Sequence, residues 1–384
     1  MSRENRLKII RSIQEKRNSF LLTYITGDRQ GSTAQISGDA IRPMYDHIRH
    51  LTLESTGRID LFLYSMGGAV DVPWRLVSML REYCEELNVL VPFHAHSAAT
   101  LICLGADNII MGRKGELGPI DPQFNPKQNE TGAQNPIGVE DIMAFITFIK
   151  ERAGIGDQLA LAKMVKILIE KLDPWTVGSV YRIHSHIRLI ARKLITSRKH
   201  NLEERQINAI IDALAEKMFF HGHAIGITEA EELELPVTRA PTDLENLMWQ
   251  LFESYEELMK LRIPVQPEKY LSQPKEEASE DMILACIESE KRIHAFRGEL
   301  QFRQIRSLPP QLAMNININP SLPQGMDPNQ ISPELQAYLE DYLKIIRETI
   351  VTLAQSELEK QAPIQRIESR HFDAYWKDIT DSNL

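Results

Sequence analysis

Ile59-Asp60-Leu61-Phe62-Leu63-Tyr64-Ser65-Met66-Gly67-Gly68 is a short apolar run stopped by paired glycines, and its reading decides the fold. A run of β-branched and aromatic residues closed by a glycine turn reads as a strand. After the turn, Asp71 is placed as an N-cap and Pro73 sits in a first helical turn. Trp74, Val77 and Leu80 then share one helical face. Val89-Leu90-Val91-Pro92-Phe93-His94-Ala95-His96 reads as the next strand, Ser97 to Gly105 as a helix of small and apolar residues, and Asn108-Ile109-Ile110-Met111 as another strand, ended by Gly112. Working upstream, a helix over 39–53, a strand over 19–26 and a helix over 5–16 precede it. Strands alternating with helices through short turns are the pattern of βαβ units around a parallel sheet, an α/β fold.

Downstream the pattern changes. Helical spacing dominates 138–152, 156–172, 175–197, 202–218 and 241–262. Residues 307–331 hold Pro309, Pro310, Pro320, Pro323 and Pro328 with an Asn-rich stretch, which reads as a linker. Ser332 as N-cap and Pro333 then open a helix over 332–361. Its apolar stripe includes Leu335, Tyr338, Leu339, Tyr342, Leu343, Ile346, Ile350 and Leu353.

The 384 residues are 43% hydrophobic and 25% charged, ordinary globular usage with ample chain for a core. Lys and Arg number 44 against 53 Asp and Glu, a net charge of −9. That balance argues against a dedicated nucleic-acid binder, because phosphate backbones are held mostly by cations. Cys84, Cys103 and Cys286 are odd in number and far apart, with neither disulfide nor zinc spacing, so a reducing cytoplasm is expected. The N-terminus has no apolar signal core. The most apolar window, Val89 to Met111, carries His94, His96 and Asp107, so it reads as buried core and not as a membrane span.

In an open parallel sheet, sites form at the carboxyl ends of strands, and two such ends stand out. Glycines at 67 and 68 let the backbone turn sharply and expose N–H groups that could hold a phosphate or an oxyanion. Ser97 lies between a strand and a helix start, where its hydroxyl faces free N–H groups and the positive end of the helix dipole. The plain readings are a turn for the glycines and an N-cap for Ser97. Adjacent parallel strands would bring the two features together, which favours acyl chemistry.

The order of these features, with Leu117-Gly118-Pro119-Ile120-Asp121-Pro122-Gln123 after Ala106 to Met111, resembles the Clp-fold serine proteinases, and within them the serine dehydrogenase proteinase (SDH) family. Signal-peptide peptidase A is similar too. Tyr24-Ile25-Thr26, Pro174-Trp175-Thr176-Val177-Gly178, Arg182 and His221-Gly222-His223-Ala224-Ile225 extend the likeness over about residues 5–240. The resemblance implies a ClpP/crotonase-like ββα superhelix core over 1–240; beyond it the residue pattern alone reads as a helical extension over 241–306, the linker over 307–331, and an amphipathic helix and tail over 332–384. The resemblance also implies Ser97 as nucleophile, an oxyanion hole from Gly67 or Gly68 with the N–H of Ala98, and a triad completed by Asp121 and His221. A protein or peptide substrate and a homo-oligomer are implied as well, with no cofactor. Ala99 and Met66 stand where the family usually has glycine and proline.

The residues themselves leave the base open. His94 and His96 precede Ser97 in a strand, where neighbouring side chains point to opposite faces. His184 and His186 sit inside a helix. His221 and His223 occupy a turn, and His221 is the favoured base. Asp173 is the alternative carboxylate to Asp121, and Lys150, Lys163 and Lys166 are the candidates for a Ser–Lys dyad. His94 and His96 share no third ligand at a metal spacing, so no metal site is expected. Arg192, Lys193, Arg198, Lys199 and His200 read as cations at a helix C-terminus, with anionic lipid as the second reading. The expected function is peptide hydrolysis by a serine enzyme. A non-catalytic oligomeric scaffold and acyl-CoA thioester chemistry are the alternatives.

Overall fold

The computed structural model describes residues 2–52, 57–120, 123–124, 137–138, 145, 148–149, 153–171, 174–217, 222–271, 276–306 and 332–381. The chain divides into two compact units. One comprises Met1–Val265, Met282–Gly298 and Asp373–Leu384; the other comprises Gln266–Asp281 and Glu299–Phe372.

Five parallel strands build the first unit: β1 Phe20–Thr26, β2 Arg58–Tyr64, β3 Glu86–Val91, β4 Asn108–Met111 and β5 Val237–Arg239. One row of aligned residues runs across them: Leu22, Leu61, Val89, Ile109, Val237. Three longer strands follow, β6 Glu277–Glu288, β7 Ile293–Arg306 and β8 Ile364–Asp378, and the sheet order is β5-β4-β3-β2-β1-β6-β7-β8. β6 meets β1 antiparallel, with Thr23 opposite Glu288.

The helices in chain order are α1 Arg3–Arg17, α2 Ile41–Ile48, α3 Val72–Arg81, α4 Ala98–Leu104, α5 Gln158–Lys171 and α6 Pro174–Thr196. Then come α7 Glu204–Asp212, α8 Ile227–Glu232, α9 Thr242–Leu258, α10 Pro267–Tyr270 and α11 Pro333–Gln361. Both faces of the parallel sheet are covered. Leu22, Leu61 and Leu63 join the core made with α2, α3, α4, α6 and α7. Their strand neighbours Leu21, Phe62 and Tyr64 join the opposite core, made with α1 and α9. Two buried faces are why β1 and β2 read as continuous apolar runs and not as alternating ones.

Three stretches differ from expectation, each for a physical reason. The strand expected over 89–96 is split into β3 and a two-residue strand, His94–Ala95. Pro92 lies at the break and has no N–H to give a ladder. Residues 277–288 and 293–306, expected within a helical extension, are strands; among the described residues helix is confined there to α9 and α10. Met282-Ile283-Leu284-Ala285-Cys286-Ile287 is a continuous apolar run, and the turn Ser289–Arg292 closes on itself with bonds of 2.9 and 3.3 Å. The tail expected after the amphipathic helix contains β8. α11 begins as expected, with the Leu335 N–H donating to Ser332 Oγ at 3.3 Å. The linker over 307–331 and most of the helix expected over 138–152 lie outside the described residues.

Two buried polar clusters lock the first unit. Arg6 and Glu288 are fully buried and pair at 2.8 Å, and the Tyr255 hydroxyl donates to the same carboxylate oxygen at 2.8 Å. His47 Nδ1 lies 2.7 Å from Ser289 Oγ, and its Nε2 lies 3.0 Å from His294 Nδ1. His294 Nε2 in turn faces Asp378 Oδ2 at 4.0 Å. Ile379, buried at the end of this chain of contacts, donates its N–H to the Ile293 carbonyl at 3.0 Å. Of the basic run near the end of α6, Lys193, Lys199 and His200 are exposed, while two members are engaged within the fold. Arg198 is buried and donates to the Leu104 carbonyl at 2.7 Å, and Arg192 pairs with Glu204.

Candidate active site

The carboxyl ends of β1, β2 and β3 are woven together by short cross-pairings. Ile36 pairs with Gly68, and Ser65 pairs with Ala95. His94–Ala95 runs parallel to Glu116–Leu117, which pairs antiparallel with Ile225–Gly226. Five segments distant in sequence therefore meet at one end of the sheet, and Ser97 follows the central one.

Ser97 stands at the N-cap position of α4, yet its side chain makes no capping hydrogen bond. Its backbone has φ +51° and ψ −114°. A non-glycine residue in that region is held there by its surroundings at a cost of about 1–3 kcal/mol. The capping reading therefore does not account for this serine. Gly67, at φ +113°, is its close neighbour: a Cβ on Gly67 would lie 2.7 Å from Ser97 Cβ and 3.2 Å from Ser97 Oγ. A Cβ on Gly68 would collide with the Ile36 carbonyl oxygen at 2.2 Å. Both positions thus require glycine for close approach, one towards Ser97 and one towards Ile36.

The glycine N–H groups differ in availability. Gly67 donates to Ser65 Oγ at 3.0 Å, whereas Gly68 N–H and Ala98 N–H have no hydrogen-bond partner among the described residues. On the other flank Thr100 Oγ1 lies 2.7 Å from the Ala95 carbonyl and 2.8 Å from the Gly118 carbonyl, which share its one proton, and it accepts the Gly118 N–H at 3.1 Å. That clamp fixes where Leu117-Gly118-Pro119-Ile120 passes the serine.

Beside Ser97 lies a group of side chains that sequence reading had set aside. Glu116 Oε1 is 3.1 Å from His94 Nε2 and 3.4 Å from His96 Nε2. Tyr64 donates to Asp28 at 2.7 Å and stacks on His94. Burial lowers the His94 pKa, against the opposing pull of Glu116 and Asp28. Glu116 is 20 residues from His96 in the chain, and only the pairing of His94 with Glu116 joins them.

Asp121, Asp173, His221 and Lys150 lie outside the described residues. His223 is described: its Nε2 contacts Glu229 at 2.8 Å, and it sits just before Ile225–Gly226. At about 4.8 Å per strand that segment is two strands, about 10 Å, from His94–Ala95. Lys163 and Lys166 are exposed on α5, as a solvated face requires. His184 is buried within α6 and His186 is exposed. All three cysteines are buried, and burial raises their thiol pKa values, Cys84 to about 11 and Cys286 to about 12. None has the depressed value a thiolate nucleophile needs. Among the described residues no cluster of His, Cys, Asp and Glu has metal-binding geometry, and no helix is long and apolar enough to cross a membrane.

Residues 1–132 match the family described as ClpP-like SDH-type serine proteinase. Over those residues the chain is similar to that family. The matched segment contains Ser65, Gly67, Gly68, Ser97, Ala98 and Glu116, and the class that the family description carries is serine proteinase. The uncharacterized protein MJ0137 of Methanocaldococcus jannaschii is 28% identical over 260 residues, 63% of this chain and 77% of its own length. The uncharacterized protein MJ1495 of the same organism is 28% identical over 132 residues, 31% of this chain and 42% of its own. Solved structures similar to the chain include two of the 1510-N membrane-bound stomatin-specific protease. A serine-to-alanine mutant aligns with a TM-score of 0.37 at 14% identity, covering 60% of this chain and 83% of that one. A lysine-to-alanine mutant in complex with a substrate peptide aligns at 0.25 and 13%, covering 61% and 98%.

Proposed function

We propose that the protein hydrolyses peptide bonds through an acyl-enzyme on Ser97. The observation that carries the reading is the strained, uncapped Ser97 set against Gly67, with the Gly68 and Ala98 N–H groups left without a partner among the described residues. Ser97 Oγ attacks the substrate carbonyl carbon and gives its proton to a base. The carbonyl oxygen becomes an oxyanion, which the N–H groups of Gly68 and Ala98 stabilise. The C–N bond breaks, the amine leaves with the proton, and water repeats the sequence on the ester. Gly67 supports the hole through its position, since its own N–H is engaged by Ser65. His221, oriented by Asp121, is the base in this scheme. His223 with Glu229, or a Ser–Lys pair, takes that role if His221 proves dispensable.

Residues 1–240 are taken as the catalytic part. The substrate is a protein or peptide. The enzyme acts as a homo-oligomer with α11 in the interface, because Tyr338 and Leu353 on its stripe are 67% and 63% exposed. Free, buried cysteines fit a reducing cytoplasm.

The deciding experiment is labelling with a fluorophosphonate, which phosphonylates activated serines. The wild type should label and Ser97→Ala should not. No labelling of the wild type would favour the non-catalytic scaffold, and equal labelling of both would move the nucleophile elsewhere.

A further inference from the structure

We infer that the buried hydroxyl pair Thr26–Ser65 positions the oxyanion-binding peptide for Ser97, which makes Ser65 and Thr26 positioning residues of the hydrolysis. The inference rests on the acyl-enzyme reading above and concerns what holds its oxyanion hole in register.

Ser65 is the last residue before the glycine turn, and it is wholly buried. Its backbone is tied on both sides to the segment leading into Ser97. Ser65 N–H donates to the His94 carbonyl at 3.0 Å, and His96 N–H donates to the Ser65 carbonyl at 3.0 Å. Its hydroxyl is tied to the glycine turn. Gly67 N–H donates to Ser65 Oγ at 3.0 Å, and Ser65 Oγ donates to the Gly67 carbonyl at 3.4 Å. Thr26, itself buried, donates to the same Oγ at 2.7 Å from the end of β1. One serine therefore couples the strand end, the glycine turn and the approach to the nucleophile.

The consequence falls on Gly68. The Gly67 carbonyl also accepts the Ile36 N–H at 2.8 Å, and Ala69 N–H donates to the Ile36 carbonyl at 2.8 Å. In a planar trans peptide the N–H points opposite to the preceding C=O. With the Gly67 C=O aimed at Ile36, the Gly68 N–H is directed away from Ile36. Nothing in a glycine pair sets that direction from within, since both residues tolerate a wide range of φ. The Ser65 hydroxyl supplies the missing constraint. It occupies the Gly67 N–H and so leaves the next N–H, that of Gly68, as the available donor. Thr26 fixes how the Ser65 hydroxyl is turned, because its donated proton takes one lone pair of Ser65 Oγ and leaves the other for Gly67.

A hydroxyl that only filled space at a strand end would affect stability. One that orients an oxyanion donor affects the rate of attack. Removing a whole donor from an oxyanion hole lowers kcat by about 100- to 1,000-fold; loosening one should lower it by about 10- to 100-fold.

The test is the second-order rate of fluorophosphonate labelling at Ser97, with thermal unfolding in parallel, on the full chain. The phosphonyl oxygen occupies the oxyanion position, so the assay needs no knowledge of the natural substrate. Ser65→Ala should label about 10- to 100-fold more slowly, and Thr26→Val about 3- to 10-fold more slowly. Thr26→Ser, which keeps the hydroxyl, should label at the wild-type rate. Where a peptide substrate is in hand, the loss should appear in kcat with KM nearly unchanged. Wild-type labelling rates in folded Ser65→Ala, or a lowered melting temperature without slower labelling, would overturn the inference. Should Ser65→Ala fail to fold, Thr26→Val compared with Thr26→Ser decides it in the same way. Failure of the underlying reading is separate: it appears as labelling that survives Ser97→Ala or is absent from the wild type.

Discussion

The buried pair His47 and His294 should make the first unit lose stability in mild acid, and His47→Gln should remove most of that loss. Burial pushes the His47 pKa down to about 3, and His294 and Arg292 act in the same direction against Asp378 and Asp46. His294 is lowered too, again mainly by burial. An unfolded histidine titrates near 6.5. The native state therefore holds fewer protons than the unfolded chain between those values, and stability rises with pH across that window. It is fully present above about pH 6.5 and is lost as the pH falls towards 3. Integrating the linkage for His47 alone removes about 2 kcal/mol between pH 7.5 and pH 5, and about 4 kcal/mol by pH 3. Urea unfolding followed by circular dichroism at pH 7.5 and pH 5 measures this directly. The drop in unfolding free energy between the two conditions should be about 2 kcal/mol larger in the wild type than in His47→Gln. Equal drops in the two proteins would refute the reasoning, because the lost stability would then belong to other groups.

Gly67→Ala should abolish labelling of Ser97, since its Cβ would lie 2.7 Å from Ser97 Cβ, and should lower stability by about 1–3 kcal/mol for a side chain at φ +113°; near-normal labelling would contradict the placement. In a peptidase assay, His221→Gln should lose orders of magnitude in turnover and His223→Gln little, whereas the reverse pattern assigns the base to His223. Light scattering should report a mass well above the 44.0 kDa of one chain, and Leu339→Asp with Leu343→Asp should lower it. A wild type that stays monomeric at micromolar concentration removes α11 from any self-association.

Much of the first unit was legible because its signals are local. The apolar runs of β1 and β2, the glycine pair and the small-residue helix after Ser97 each declare themselves within a few residues. The hairpin of β6 and β7 did not. Its turn is Ser289-Glu290-Lys291-Arg292, without the Asn-Gly or Asp-Gly that marks tight hairpins, and charged residues crowd the outer ends of both strands. At the site, Ser97 and the glycines stood out, while Ser65, Thr26, Thr100 and Glu116 did not. Their roles come from neighbours in other strands: Thr26 meets Ser65 across 39 residues, and Glu116 meets His94 across 22. The sole sequence hint at Ser65 was a hydroxyl at the point where an apolar strand gives way to glycine.

The three cysteines carry a practical consequence. Each is sealed in the core with a thiol that resists ionisation, so iodoacetamide, maleimides and mild peroxide should leave the folded enzyme untouched. Reagents that silence cysteine peptidases would pass it by. In a mixed extract, proteolysis that persists after thiol alkylation and stops on phosphonylation would be the fraction in which to look for this chain.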